Sequence, residues 1–176
     1  LGLLSFDLLY IINNTVLIFI YLSLFAALRK INYVYMLIAL ILGLTGITAY
    51  YSSNVAFEMM SLSERYNNGA TPEQELQYAG AGYALLAIYK GTAFNVYYLL
   101  NAIALLIISR VMFQDRTFTR FTAICGTVSG VLMLIPSTAG KAGMVLSLIS
   151  LIPWTIFSML VAKRLFQLSK YDRSTG

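Results

Sequence analysis

The sequence predicts an all-α integral membrane protein: a single helical-bundle domain (residues 1–176) of five transmembrane helices plus one external helix at the bilayer surface. Three observations carry that expectation. Of the 176 residues, 59% are hydrophobic and 11% charged, against roughly 45–50% and 25% in soluble domains. Several apolar runs approach about 20 residues, the length that crosses a bilayer core of about 30 Å. The runs are continuous rather than alternating, and backbone polar groups in lipid must bond within the protein, so helices are expected rather than a barrel.

The elements follow in order. The first span covers about residues 3–28, carries Asp7, Tyr10, Asn13 and Asn14, and stops at Arg29-Lys30. After Ile31-Asn32 the second span covers about 33–60. A polar loop follows, with Glu64, Arg65, Asn67, Asn68 and Gly69. Thr71-Pro72-Glu73 reads as a helix start, with Thr as N-cap, Pro at the first position and acids in the first turn. The helix it opens covers 72–89 and is polar at its start and apolar at its end. It is expected to lie on the membrane surface, or else to run on into the next span. Lys90-Gly91-Thr92 reads as a break, with Thr92 capping anew. The third span covers about 93–112, and a basic loop with Asp115, Arg116 and Arg120 leads to a fourth at about 121–135, closed by Pro136. The fifth span covers about 144–162, with Pro153-Trp154 near its middle, where Pro is expected to kink it. The basic tail from Lys163 is expected to be partly disordered.

Sorting the cations by loop gives an orientation. Arg29, Lys30, Arg110, Arg116, Arg120, Lys163, Arg164, Lys170 and Arg173 fall on one side, and Arg65, Lys90 and Lys141 on the other, nine of the 12 against three. By the positive-inside rule the nine are cytoplasmic, which puts the C-terminus inside and Leu1 outside a cell (plasma) membrane. The net charge of +5 is then a topology signal, not a nucleic-acid patch. An outside start suggests that a further N-terminal span precedes Leu1, six spans in the full protein.

Depth, counted at about 1.5 Å per residue from the cytoplasmic ends, places costly polar groups in one outer slab. Asp7, Glu58 and Lys90 share its level, and Asn13, Asn14, Asn54 and Asn95 lie at or just below it. On the second span Gly43, Gly46, Tyr50, Asn54 and, half a step off, Glu58 form one stripe at helical spacing. The expected ligand-binding set is therefore Asp7, Asn13, Asn14, Tyr50, Asn54, Glu58, Lys90 and Asn95, around an outward-opening polar pocket. Intramembrane ionisable groups are costly and tend to be functional. The bland alternative is that Asn side chains are interhelical glue, tyrosines an interfacial belt, and the charges snorkel to headgroups. Gly43 and Gly46 suit close helix packing, as does the pair Gly126 and Gly130, within the bundle or at a dimer contact.

Catalytic chemistry has little to work with. The chain has no His, and its one Cys, Cys125, lies in an apolar helix. No metal site, nucleotide loop or nucleophile motif is present, so no catalytic residue and no cofactor are expected, and an intramembrane enzyme would have only Asp7 or Glu58 as acid or base. A bound lipid remains possible.

Four blocks carry a family likeness: Leu8-Leu9-Tyr10-Ile11-Ile12-Asn13-Asn14-Thr15, Ser53-Asn54-Val55-Ala56-Phe57-Glu58-Met59, Tyr89-Lys90-Gly91-Thr92-Ala93-Phe94-Asn95 and Leu148-Ile149-Ser150-Leu151-Ile152-Pro153-Trp154. They resemble the recurring blocks of a family of bacterial multi-pass membrane proteins classed only as a domain of unknown function. The resemblance covers nearly the whole chain. It implies about six spans and no known activity. Two functional classes stay open. One is binding or transport of a small ligand, lipid or ion through the outward-facing pocket. The other is a non-catalytic accessory or structural subunit of a larger membrane complex, or a homodimer.

Overall fold

A computed structural model describes residues 2–68, 71–114 and 116–175. Gly69 and Asp115, placed in loops by the sequence, lie outside the described residues. The described chain forms seven helices: α1 (Gly2–Leu28), α2 (Tyr33–Ser53), α3 (Ala56–Asn67), α4 (Pro72–Tyr89), α5 (Thr92–Met112), α6 (Arg120–Met133) and α7 (Gly140–Thr175). This is the helical membrane bundle that composition demands. Four stretches are long and apolar enough to cross a membrane: Asp7–Leu28, Tyr33–Asn67, Pro72–Met112 and Gly140–Lys170. The expected fourth span is shorter than that. The 14 residues of α6 reach about 21 Å at 1.5 Å per residue.

Three boundaries differ from the sequence reading, each for a local reason. The second span breaks at Asn54–Val55, where the backbone turns extended. Just before the break, the Ser52 and Ser53 hydroxyls donate to the Ala49 and Tyr50 carbonyls at 2.8 Å each. They compete for the acceptors that the next helical N–H groups need. The chain restarts as α3, which carries the expected polar loop as helix to Asn67. At the other break, Gly91 rather than Thr92 caps α5, and the Asn95 amide donates to the Gly91 carbonyl at 3.0 Å. The basic tail is not loose: α7 continues to Thr175. By contrast, the start of α4 is as read. The Thr71 hydroxyl accepts from the Gln74 N–H, and the Gln74 side chain accepts from the Thr71 N–H in return.

Glycines decide which helices meet closely. The α2–α5 interface is the most extensive in the bundle. A Cβ on Gly46 would collide with the Asn101 amide and come within 3.3 Å of the Tyr97 carbonyl. A Cβ on Gly43 would lie 2.5 Å from the Tyr21 ring of α1. Gly126 of α6 admits Ser109 from α5 and Phe157 from α7, and Gly130 lies against Leu106 and the Ala102 carbonyl of α5. The second glycine pair thus packs inside this chain. Without a hydrophobic drive between helices in lipid, such close van der Waals approach is what holds a bundle.

The packing order is therefore α1 on α2, α2 on α5, α5 on α6, and α6 on α7. No substantial interface joins α1 to α7. Both flank the same side of α5 and leave a gap between them. The helix α4 buries no residue and packs mainly on α3.

Candidate functional site

The gap is a cleft of about 420 Å³. Leu9, Tyr10, Asn13, Leu17 and Tyr21 line it from α1, at the spacing of one helix face. Tyr97, Tyr98, Asn101 and Leu105 form its back on α5. Ser147, Ser150, Leu151 and Trp154 close the α7 side, with Met133 from α6. Most of this wall is apolar, and the volume falls in the roughly 300–1,000 Å³ range of small-molecule sites.

The polar groups on that wall divide into two kinds. Some are already engaged. The Asn101 side chain accepts from the Tyr21 hydroxyl at 2.7 Å and donates to the Tyr97 carbonyl at 2.9 Å. The Ser147 hydroxyl donates to the Met144 carbonyl at 3.1 Å and that of Ser150 to the Ser147 carbonyl at 2.7 Å, both within α7. The Asn13 amide, the Tyr98 hydroxyl and the Trp154 indole N–H, in contrast, make no hydrogen bond within the described residues. A few uncommitted polar groups on an apolar wall can orient one amphipathic molecule.

The expected ligand set is thus dispersed. Only Asn13 lines the cleft. Asp7 and Asn14 are fully buried, and each meets a tyrosine: the Tyr89 hydroxyl donates to Asp7 Oδ1 and the Tyr97 hydroxyl to Asn14 Oδ1, both at 3.2 Å. Tyr50 is buried among aromatic rings, stacked on Tyr10 at 5.7 Å and tilted against Tyr97 at 5.0 Å. Asn95 accepts a hydrogen bond from the Thr138 hydroxyl, tying α5 to the α6–α7 turn. Asn54 sits in the break before α3, its Oδ1 accepting from the Ala56 N–H at 3.5 Å. Glu58 is exposed in the first turn of α3, where an acid complements the helix dipole. Lys90 is exposed at the end of α4. The break at Asn54 is what takes Glu58 off the stripe of α2.

The upper layer is not fully satisfied. Asp7 Oδ2, Asn14 Nδ2 and Asn54 Nδ2 are buried without a hydrogen-bond partner among the described residues. Among the described residues no group of three or more His, Cys, Asp or Glu stands ready to hold a metal. On the α7 wall, Ser150, Leu151 and Trp154 lie within the Leu148–Trp154 block that carries the family likeness, but nothing in that block marks it as facing a cleft, and Pro153-Trp154 reads equally as packing.

A family model described as "Domain of unknown function (DUF4386)" matches residues 3–166. Searches of curated proteins and of solved structures each returned no match. The chain belongs to the DUF4386 family, and the likeness of its four sequence blocks to a family of unknown function is thereby accounted for.

Proposed function

We propose that this member of the DUF4386 family binds an amphipathic small molecule, with membrane lipid as the fitting class, in the cleft between α1 and α7. The observation that carries the reading is the wall itself: Leu9, Leu17, Leu105, Leu151 and Met133 offer apolar surface, and Asn13, Tyr98 and Trp154 offer uncommitted polar groups. Such a wall suits an acyl chain with a small polar head and suits a free ion poorly. Access would be lateral, between two helices whose outer faces carry exposed Leu, Ile and Phe side chains. The reading is one of binding: the two serine hydroxyls on the wall are committed to carbonyls of α7, and the lining residues include no His, Cys, Asp or Glu. In this reading the nine-to-three distribution of cations faces the Asp7 end away from the cytoplasm of a plasma membrane.

The buried layer at that end fits the second reading, a structural subunit of a membrane complex. The Asp7–Tyr89 and Asn14–Tyr97 bonds are interhelical glue, worth roughly 0.6–2 kcal/mol each in membranes. The two readings separate by native mass spectrometry of the detergent-purified chain beside Ser147→Phe. Ser147 is half-buried on the cleft wall, so the larger ring occupies the cleft. Lipid binding in the cleft predicts one retained lipid fewer on the variant than on the wild type, at equal thermal stability. Equal retention by both, or none by either, would count against the cleft and leave the structural role.

A further inference from the structure

The opposite end of the bundle carries a second site, which concerns charge rather than apolar volume. The turn between α5 and α6 holds Arg116, Arg120 opens α6, and α7 passes beside them with Lys163 and Arg164. Two hollows of about 590 and 410 Å³ open there and share Arg116, Phe118 and Thr119 on their walls. Arg120 lines the first, and Lys163 and Arg164 line the second. Arg164 Nε donates to the Thr117 carbonyl at 2.5 Å, which locks the start of the turn onto α7 and fixes one guanidinium over the hollow. Phe118 is buried and anchors the same turn in the core.

Charge balance here is one-sided. Of the seven acids, Asp7, Glu58, Glu64, Glu73 and Glu75 belong to the other end, which leaves Asp115 and Asp172 against nine cations. The side chains of those two acids lie outside the described ones. Arg116 lines both hollows, with Arg120 on the wall of one and Lys163 and Arg164 on the wall of the other, so an anion lodged beside Arg116 has a further cation on the same wall in either hollow. Phe121, next to Arg120 in the chain, and Phe166, two residues after Arg164, expose their rings, that of Phe166 with the Lys170 ammonium 5.0 Å from its centroid. A phosphate carried on an acyl-chain lipid would therefore meet cations with its head and aromatic surface with its tails.

We propose that the α5–α6 turn and α7 form a headgroup site for an anionic phospholipid, with Arg116, Arg120, Lys163 and Arg164 as phosphate ligands. Basic recesses at the ends of membrane helices recognise such headgroups, and guanidinium forks suit phosphate oxygens. The site stands independently of the cleft between α1 and α7.

The test titrates short-chain phosphatidylglycerol into the full chain in neutral detergent, with the phosphatidylcholine counterpart as control. The wild type should bind phosphatidylglycerol saturably and the choline lipid weakly. Arg116→Gln with Lys163→Gln, both exposed, should weaken binding by about tenfold or more, the order expected for two interfacial cations. Arg29→Gln with Lys30→Gln removes the same charge from the same end, away from the hollows, and should leave binding unchanged. If the double variant does not fold, Arg120→Gln alone should weaken binding, and no change there overturns the site. Equal losses in the two double variants would show a diffuse basic surface and overturn it. Inorganic phosphate displacing the lipid at comparable concentration would also overturn it, because the anion alone would then be the ligand.

Discussion

The seam between α2 and α5 and the cleft between α1 and α7 are built from the same residue types and behave oppositely. At the seam, Gly43 admits the Tyr21 ring of α1 and Gly46 the Asn101 amide of α5, so that these two side chains, which also border the cleft, bond at 2.7 Å. In the cleft, no described glycine draws α1 to α7, and Asn13 and the Tyr98 hydroxyl are left with no hydrogen-bond partner among the described residues. An Asn or a Tyr in a membrane helix is thus glue or binding surface according to the separation of the backbones around it. Residue type alone does not decide.

Substitutions can break that contrast, and the seam should respond most. Gly46→Leu forces a side chain into the Asn101 amide and the Tyr97 backbone, so a loss of about 3 kcal/mol is expected from overpacking. Unfolding in an SDS titration reads it directly, and a loss no larger than for a lipid-facing Gly would remove the seam's special status. Asn101→Leu should cost about 1–2 kcal/mol by stranding the Tyr21 hydroxyl, in the same assay. Tyr21→Phe removes only one bond and should cost about 0.6–1 kcal/mol. The double change Asn101→Leu with Tyr21→Phe should then cost less than the two singles summed. Asn13→Leu and Tyr98→Phe, which break no bond between protein groups, should stay within about 0.5 kcal/mol of wild type. A cleft variant that destabilises like Asn101→Leu would place it with the seam.

The same contrast explains what could be read before the fold was known. The helix α4 was legible to the residue because Thr71-Pro72-Glu73 and Gln74 form a self-contained cap. Gly46, Gly126 and Gly130 were legible as packing positions because small residues at helical spacing have one main use in a membrane. The break at Asn54 was not, because its cause is two serines bonding back to their own helix, while hydropathy runs on through Phe57 and Met60. The helical continuation of α7 was missed because Leu165, Phe166 and Leu168 were outweighed by the neighbouring cations. For the site, depth groups Asn13 with Asn14 at one level, and only the fold separates them, Asn13 on the cleft wall and Asn14 buried against Tyr97. Nothing local shows that Trp154, 141 positions further along the chain, faces Asn13 across a gap. That juxtaposition depends on α6 holding α7 against one side of α5, a property of the whole bundle.

For the proposed uptake of a lipid by the cleft the protein carries its own reporter, because Trp154 is the single tryptophan and lines the wall. Its fluorescence should be followed as a lipid with brominated acyl chains is added to the detergent-solubilised chain. A bound lipid predicts saturable quenching with one lipid per chain, abolished by Ser147→Phe. Quenching that rises without saturation and is the same in both proteins would mean that Trp154 meets only bulk lipid, and would contradict the account.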